Sequence, residues 1–391
     1  MVHAATHPVP AGGGDDLGVY VHIPFCARRC GYCDFATWTD RSGLIDEYVE
    51  ACATDVRRRV ADGLLPAASS VFVGGGTPSL LDAAALTRVL DEIPRRADAE
   101  VTVECNPDTV DVAKLRAYRR AGVNRCSFGV QSMRPHVLAA LDRTHDPANV
   151  ARAVAAARDA GLDRFNVDLI YGAAGESLDD WRATLEAALA LDPPHVSAYA
   201  LTVEPGTPLG RRVAAGTVAA PDDDDQAAKY ELADDVLGGS GRAWYEVSNW
   251  ARPGHECRHH LLYWGQGDYV GIGCAAHGHR AGTRTWNVRR PERYIDRVRA
   301  GRPPEAGGEH LDPVTRADEA LALALRTSSG AVVPAGAAGE AGALEAEGLL
   351  VRSGPRVGLT RRGRLLATAV TVRLLAAASA PRPTSIAVGT R

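Results

Sequence analysis

Three closely spaced cysteines near the start of the chain, Cys26, Cys30 and Cys33, follow the pattern C-x3-C-x2-C. Thiolates are preferred ligands of iron–sulfur clusters. A cubane of four irons held by three thiolates has one iron with an open coordination position, as catalytic metal sites do. The spacing therefore predicts a [4Fe-4S] cluster. A zinc site completed by a distant histidine, or three ordinary thiols, are the alternatives; Pro24 and the aromatic Tyr32 beside the last cysteine favour the cluster.

A glycine-rich turn ends the next predicted strand, VFVGGG at 71–76, and continues into Thr77 and Pro78. Glycines let the backbone approach a ligand closely and expose N–H groups to it. One β/α unit after the cysteines, such a turn suits the amino and carboxylate groups of S-adenosylmethionine (SAM), which can chelate the open iron. A glycine turn alone also fits an ordinary tight turn, so the prediction depends on its position after the cysteines.

Polar residues follow the next three predicted strands. Glu104 ends the third strand, Gln131 follows the fourth, and Asp168 lies near the end of the fifth. Ligands of open α/β sheets bind at the carboxyl ends of the strands, so we expect these side chains to converge, with Glu104 accepting from ribose hydroxyls. A helix cap or an ion pair is the alternative for Glu104. A carboxylate in a buried strand needs a partner, and Arg143 is a candidate partner for Asp168.

The other five cysteines fit ordinary roles better. Cys52 lies on an apolar helical stripe, and Cys105 and Cys126 lie at or in predicted strands, so core positions are expected. Cys257 and Cys274 lie in a downstream segment rich in His, Tyr and Trp. They are the two remaining cysteines whose chemistry deserves testing.

Apolar strands alternate with helices six times between residues 17 and 203. This alternation is typical of a parallel sheet covered by helices, and six units rather than eight predict an incomplete barrel, open on one side. The expected regions are disordered ends at 1–16 and 378–391, a barrel at 17–240, an irregular His- and Trp-rich segment at 241–310 packing on the barrel, and a mostly helical, winged-helix-like domain at 311–377.

Composition narrows the class of protein. Of 391 residues, 46% are hydrophobic and 24% are charged, as in globular proteins with a real core. The net charge of −4 argues against a nucleic-acid-binding surface. The N-terminus lacks the basic and apolar regions of a signal peptide, and no apolar run is long enough to span a bilayer. We therefore expect a cytoplasmic protein whose cysteines stay reduced.

These motifs together resemble the radical SAM superfamily, in particular the oxygen-independent coproporphyrinogen III oxidase family. The motifs that carry the resemblance are YVHIPFCARRCGYCDF (20–35), GGGTPS (74–79), ECNP (104–107), VNRCSFGVQS (123–132), NVDLIYG (166–172), EPGT (204–207), YEVSNWARPGHECRHHLLYW (245–264) and GIGCAAHG (271–278). The resemblance implies an α/β fold, a partial (β/α)6 radical SAM barrel, with the cluster on the three cysteines. It places SAM, or SAM and a neighbouring ligand, against Tyr20, Tyr32, Gly75, Gly76, Thr77, Glu104, Gln131, Arg143 and Asp168.

Two features separate this chain from the porphyrin-forming enzymes of that family. Those enzymes carry another cysteine two residues after the third cluster ligand, where this chain has Phe35, and a longer N-terminal segment. The chain therefore resembles the haem chaperone branch, whose members are thought to bind haem and pass it to acceptor proteins. The branch motif His-Asn-x-x-Tyr-Trp reads here His259-His260-Leu-Leu-Tyr263-Trp264. The alternative function is a coproporphyrinogen III dehydrogenase acting through a 5′-deoxyadenosyl radical.

The segment around that motif supplies groups that can hold haem. His259 is the first candidate for the axial ligand, Cys257 is a thiolate alternative, and the rings of Tyr263 and Trp264 suit the faces of a porphyrin. The candidate partners of the propionates are Arg252, Arg258, Arg284 and Arg289. Each of these residues also fits a structural role in a folded core. The expected partners are haem and an unidentified acceptor protein, with transient contact to membrane-bound acceptors, and a homodimer is compatible with the sequence.

Overall fold

The computed structural model describes residues 16–379. Of the chain ends predicted to be disordered, the described residues include Asp16, which forms an ion pair with Arg96, and Ala378 and Ser379, which belong to the last helix; the other predicted residues lie outside the described range. The described residues divide into two units, 16–311 and 312–379.

A parallel sheet forms the centre of the first unit. Its strands are β1 (Leu17–Ile23), β2 (Ala68–Gly75), β3 (Arg95–Cys105), β4 (Arg125–Gln131), β5 (Phe165–Tyr171) and β6 (His195–Ala200), each paired in parallel with the next. The helices that follow these strands are α1 (Ile45–Ala61), α2 (Ala83–Glu92), α3 (Val112–Arg120), α4 (Pro135–Ala140), α5 (Pro147–Asp159), α6 (Leu178–Ala190), α7 (Pro208–Ala214) and α8 (Asp223–Gly239). The predicted α/β fold with six β/α units is confirmed.

Local sequence explains how these elements form. Strand β2 is buried at every position except Gly75, which matches its unbroken apolar run. Helix α6 begins with a capping box, in which the Ser177 side chain and the Asp180 side chain each accept from the other's backbone N–H. Helix α8 begins with an acidic run, in which the Asp222 side chain accepts from the N–H of Asp225.

The segment 241–310 is not irregular, and that prediction is wrong. Its elements are β7 (Ala243–Glu246), β8 (Asn249–Ala251), α9 (Arg258–Trp264), β9 (Asp268–Ile272), β10 (His277–Arg280), β11 (Thr283–Asn287), α10 (Pro291–Arg299) and β12 (Glu305–His310). They extend the sheet at both edges: β9 runs parallel to β1, and β8 runs antiparallel to β6. The strand order is β12-β11-β10-β9-β1-β2-β3-β4-β5-β6-β8-β7. These strands are short and polar, so their sequence shows little periodicity, and their pairing is with distant strands.

The second unit has its own small sheet and its own core. Its elements are α11 (Pro313–Leu325), β13 (Ala331–Val332), α12 (Ala338–Ala346), β14 (Leu350–Ser353), β15 (Arg356–Leu359), α13 (Arg361–Leu365) and α14 (Ala367–Ser379). The strands are antiparallel in the order β13-β15-β14. Leu325, Leu344, Val357, Val370 and Leu374 are fully buried in its core. The order of helices and hairpin agrees with the predicted winged-helix-like domain.

Over residues 16–379, every helix is too short or too polar to cross a lipid bilayer.

Candidate functional site

A cavity of about 520 Å³ opens where the six parallel strands end. Eleven of the predicted site residues line it: Cys26, Cys30, Tyr32, Cys33, Gly75, Gly76, Thr77, Glu104, Gln131, Arg143 and Asp168. They lie near the carboxyl ends of β2, β3, β4 and β5 or in the loops that follow β1, β2 and β4, which is the arrangement expected of a ligand site in an open α/β sheet. The predicted convergence of these side chains is therefore present in the structure.

Backbone hydrogen bonds hold the cysteine loop against the sheet. The N–H of Cys26 donates to the carbonyl of Trp38 at 3.1 Å, and the N–H of Cys33 donates to the carbonyl of Cys30 at 3.2 Å. The Thr77 hydroxyl donates to the Sγ of Cys26 at 3.6 Å, which ties the loop to the turn after β2. The three thiols thus face one cavity from a loop with a defined shape.

The chemistry of these thiols suits a metal cluster. Burial raises the pKa of the Cys26 and Cys33 thiols, so a bound cation is needed to keep them as thiolates. An Nη of Arg143 lies 3.7 Å from the Sγ of Cys30, and such N–H···S contacts stabilise cluster ligands.

The glycine turn packs against the cysteine loop with little spare room. Gly75 has a φ of +113°, a conformation that favours glycine, and a Cβ there would lie 2.4 Å from Nδ1 of His22. A Cβ on Gly76 would lie 2.7 Å from the carbonyl oxygen of Phe25 and 3.0 Å from the Sγ of Cys26. The backbone can approach the cysteine loop this closely only because these positions have no side chain.

Glu104 faces the cavity and contacts the same turn. Its carboxylate accepts from the N–H of Gly75 at 3.1 Å. Burial and the neighbouring charge of Asp168 raise the pKa of Glu104 to about 7. Among the described residues Glu104 forms no ion pair and caps no helix, so neither alternative role predicted for it is observed. Its position still suits acceptance from a ligand hydroxyl.

The predicted pairing of Arg143 with Asp168 is wrong. The Arg143 guanidinium donates to Nδ1 of His145 at 3.0 Å and to the carbonyl of Gly129 at 2.7 Å. The Asp168 carboxylate accepts from Ser127 at 2.8 Å and from Asn166 at 2.7 Å. Neutral donors, rather than a cation, therefore satisfy the buried carboxylate.

Two cavity residues escaped the sequence analysis. His145 lines the cavity, and because its Nδ1 accepts from Arg143, its proton sits on Nε2. Burial lowers the pKa of His145 to about 4, so the ring is neutral. Tyr199 lies in β6 and exposes 37% of its surface where it lines the cavity. Its place near the carboxyl end of a strand is the signal that would have found it.

Tyr20 differs from the other predicted SAM contacts because it does not line this cavity. Its ring stacks on Phe72, with centroids 6.4 Å apart, and its hydroxyl donates to Nδ1 of His22 at 3.1 Å. The other ring nitrogen of His22 donates to the carbonyl of Ala36 at 3.0 Å. Tyr20 therefore supports the cysteine loop through His22.

The four motif residues on α9 also lie outside the cavity lining. His259 is fully buried, and both of its ring nitrogens are hydrogen-bonded: Nδ1 to the Ser70 hydroxyl at 2.9 Å and Nε2 to the Tyr263 hydroxyl at 2.7 Å. Trp264 is hydrogen-bonded to the buried carboxylate of Glu246. These contacts give three of the four residues structural partners.

His260, the residue that departs from the branch motif, has a different environment. Its ring packs against Phe72, with centroids 5.2 Å apart, and lies near the carboxylates of Glu246, Glu104 and Asp168. No hydrogen bond to either ring nitrogen of His260 is present in the range 16–379. Burial lowers the pKa of His260, so the imidazole is neutral.

The remaining haem candidates are mostly engaged elsewhere. Cys257 is fully buried, its Sγ lies 3.6 Å from the Glu100 carboxylate, and burial raises its pKa to about 12. Cys274 is buried beside the Tyr48 hydroxyl, and its pKa is also raised to about 12. Three of the four candidate arginines have acidic partners: Arg252 with Asp192, Arg258 with Asp98 and Arg284 with Glu309. Neither cysteine is therefore a ready thiolate.

The comparisons with known proteins bear on the fold and the family of this chain. Residues 20–188 match the Radical SAM superfamily. The fold matches the solved structure of coproporphyrinogen III oxidase (HemN) from Escherichia coli, described as a radical SAM enzyme, with a TM-score of 0.79 and 22% identity over 94% of this chain and 92% of that one. The fold and the cysteine site thus define a protein of the radical SAM class.

Curated relatives narrow the class further. The protein named heme chaperone HemW from Mycobacterium tuberculosis strain H37Rv is 45% identical over 378 residues, covering 94% of this chain and 96% of that protein. The proteins of the same name from Escherichia coli K12 and Bacillus subtilis 168 are 42% and 34% identical, over 67% and 80% of this chain and 70% and 83% of their own lengths. This chain belongs to the HemW family of the radical SAM superfamily, which confirms the predicted branch.

Proposed function

We propose that this protein binds haem and delivers it to an acceptor protein, and that it carries a [4Fe-4S] cluster with SAM on the fourth iron. Its membership of a family whose curated members are named heme chaperones supports the first part. The observation that carries the choice over porphyrin synthesis is Phe35. This residue lines the cavity with 58% of its surface exposed, at the position where the porphyrin-forming enzymes have a further cysteine.

The cavity residues fit the cluster and SAM. Cys26, Cys30 and Cys33 would hold the cluster, and the turn at Gly75 and Gly76 would bring backbone N–H groups to the SAM amino acid moiety. Glu104 is placed to accept from ribose hydroxyls, with Tyr32, Thr77, Gln131, Arg143 and Asp168 around the same ligand or a neighbouring one. When bound, such a cluster supplies an electron to the sulfonium of SAM.

For haem, we propose His260 as the axial ligand in preference to His259. Ligation through His259 would break at least one of its two hydrogen bonds inside a fully buried site, and each is worth about 1 kcal/mol or more when its partner is left buried. His260 is neutral, keeps both ring nitrogens free of hydrogen bonds within the described residues, and lies among the rings of Phe72 and Tyr263. The His260 ring could therefore bind haem iron without breaking a hydrogen bond.

The proposed compartment is the cytoplasm, because all eight cysteines are unpaired in the described residues and a cluster requires reduced thiols. The proposed partner is a haem-accepting protein, and membrane-bound acceptors and a homodimer belong to the same proposal. Size measurement with light scattering, before and after cluster reconstitution, tests the dimer directly.

The test of the proposed function is a hemin titration of anaerobically reconstituted protein, followed at the Soret band. Wild type is expected to bind one haem per chain. His260→Asn, which restores the branch residue, is expected to weaken binding at least tenfold or to change the axial-ligand spectrum, whereas His259→Asn mainly lowers stability. Replacing the three cysteines by serine should remove the iron but not the folded chain.

Two outcomes would contradict different parts of the proposal: the chaperone function and the choice of axial ligand. Catalytic conversion of coproporphyrinogen III with SAM and reductant, without stoichiometric haem binding, would establish the dehydrogenase instead. Full haem affinity and an unchanged spectrum in His260→Asn, with loss in His259→Asn at equal iron content, would move the ligand to His259 and leave the chaperone function standing.

A further inference from the structure

A continuous chain of buried side chains runs from the cavity to the start of α9. It consists of Asp168, Asn166, His195 and Tyr245, and it ends at the backbone of Cys257. His195 and Asn166 are 1% and 2% exposed, so water does not compete for these contacts. Asn166 has been described only as a donor to Asp168, and His195 and Tyr245 have had no role so far.

The Asp168 carboxylate sets the direction of the hydrogen bonds in this series, because it can only accept. The Asn166 amide nitrogen therefore faces Asp168 and donates to it at 2.7 Å. The Asn166 oxygen then accepts from Nδ1 of His195 at 2.5 Å, so Nε2 of His195 accepts from the Tyr245 hydroxyl at 2.7 Å. The Tyr245 oxygen in turn accepts from the backbone N–H of Cys257 at 3.2 Å.

The direction matters because a carboxylate can only accept. Reversal of any link would turn the Asn166 oxygen towards Asp168 and place two acceptors face to face. Ser127 donates to the second oxygen of Asp168 at 2.8 Å and is itself contacted by the Asn166 amide at 2.7 Å. The carboxylate is held in one orientation, and Asp168 lines the cavity, where it can accept from the hydroxyl or ammonium groups of a ligand.

The other end of the chain is the N-cap of the helix that carries the motif. Cys257 is the N-cap residue of α9, and His259, His260, Tyr263 and Trp264 follow on that helix. A displacement of α9 would draw the Cys257 N–H away from Tyr245. The Tyr245 oxygen would then lose a donor, and its hydroxyl would be held less firmly towards His195. The support that His195 and Asn166 give to Asp168 would weaken.

We propose that Tyr245, His195 and Asn166 are positioning residues that orient Asp168 towards SAM and couple SAM in the cavity to α9. The coupling part rests on the proposed function, since it assumes that haem binds beside α9. Coupling between two ligands is reciprocal, so a haem-induced shift of α9 weakens SAM binding by the same factor by which SAM weakens haem binding. Through this series of hydrogen bonds, SAM binding in the cavity would depend on whether haem is bound beside α9.

The test uses Tyr245→Phe, which removes one hydroxyl and keeps the ring. Tyr118→Phe is the matched control, because Tyr118 is fully buried and its hydroxyl has no hydrogen-bond partner among the described residues. SAM affinity is measured by calorimetry on reconstituted protein of equal iron content, with and without hemin. Tyr245→Phe is expected to weaken SAM binding about 3- to 10-fold, as expected for loss of one hydrogen bond, and Tyr118→Phe to leave it unchanged.

A second pair of variants separates positioning from packing. His195→Gln can still donate to Asn166 and accept from Tyr245, so it should retain SAM affinity within about threefold, whereas His195→Leu should lose it to the same extent as Tyr245→Phe. Equal SAM affinity in wild type, Tyr245→Phe and His195→Leu would overturn the positioning role.

The coupling is tested by adding hemin. In wild type, hemin should change SAM affinity, and this effect should vanish in Tyr245→Phe; a hemin effect of the same size in both proteins would overturn the coupling. Absence of haem binding in wild type refutes the proposed function instead, while the SAM measurements still decide the positioning role.

Discussion

The substitution Gly76→Ala tests whether the glycine turn defines the shape of the cysteine loop. The added Cβ would lie 2.7 Å from the carbonyl oxygen of Phe25, 2.9 Å from that of Ile23 and 3.0 Å from the Sγ of Cys26. Neither carbonyl is free to yield, because the N–H of Gly76 donates to Ile23 at 2.8 Å and the N–H of Thr77 donates to Phe25 at 2.8 Å. Backbone on both sides must therefore move by several tenths of an ångström.

The loss of stability expected for Gly76→Ala follows from the rigidity of this backbone. Overpacking a tight site typically destabilises by about 1–3 kcal/mol, and here it also displaces a cluster ligand. We expect the cluster-free protein to lose about 1–3 kcal/mol in its free energy of unfolding, and the reconstituted protein to bind less iron. Urea unfolding measures the first effect, and iron content with visible absorbance after anaerobic reconstitution measures the second.

Gly206→Ala is the control for this experiment. Gly206 is exposed, and a Cβ there would have no atom within 4 Å. The control should stay within about 0.5 kcal/mol of wild type and bind the full complement of iron. If Gly76→Ala unfolds at the same urea concentration as Gly206→Ala and binds as much iron, the loop does not depend on this close approach and the reasoning fails.

Two further predictions concern buried charges. The pKa of Glu104 is about 7 in the folded protein against an ordinary 4.5, so the unfolded chain releases this proton at lower pH. The free energy of unfolding of the cluster-free protein should therefore fall as pH rises from 4.5 to 7, by at most about 3 kcal/mol. In urea unfolding, Glu104→Gln should reduce this dependence on pH, and an unchanged dependence would disprove the raised pKa of Glu104. Lys229 is fully buried and donates to Asp225 and to the carbonyl of Glu176. Lys229→Met should lower the free energy of unfolding by about 3–5 kcal/mol, because it leaves the buried Glu176 carboxylate without its cationic partner. The double variant with Glu176→Gln should recover part of that loss. If the single and the double variant are equally stable, the argument is refuted.

The parts of the fold that sequence predicts well are those determined by local pattern. Helix α6 (Leu178–Ala190) is an example, because a capping box at Ser177 and Asp180 marks its start in sequence and an apolar stripe marks its buried face. Several of the eleven cavity residues were identified because they follow strand ends or carry distinctive chemistry, which needs only a short window of sequence. Others, such as Tyr32 and Thr77, were assigned from the resemblance to the radical SAM superfamily.

The errors arose where structure depends on distant residues. The strands of 241–310 were missed because short polar strands acquire their order from pairing partners elsewhere in the chain. The choice of His259 as haem ligand stays a prediction, but it took no account of Ser70, which is far away in sequence and hydrogen-bonds to one of its ring nitrogens. The pairing of Arg143 with Asp168 failed because His145 and the carbonyl of Gly129 satisfy Arg143.

The pairing of β1 with β9 has a consequence for how the protein is made. Strand β1 (Leu17–Ile23) leaves the ribosome early, but its outer neighbour β9 (Asp268–Ile272) is synthesised about 250 residues later. At 5–20 residues per second this interval is on the order of 10–50 s. During that time a nearly continuous apolar strand has an unpaired edge, which is a template for aggregation. The edge of β1 is therefore open to pairing with other chains until β9 is made, and slower translation lengthens that exposure.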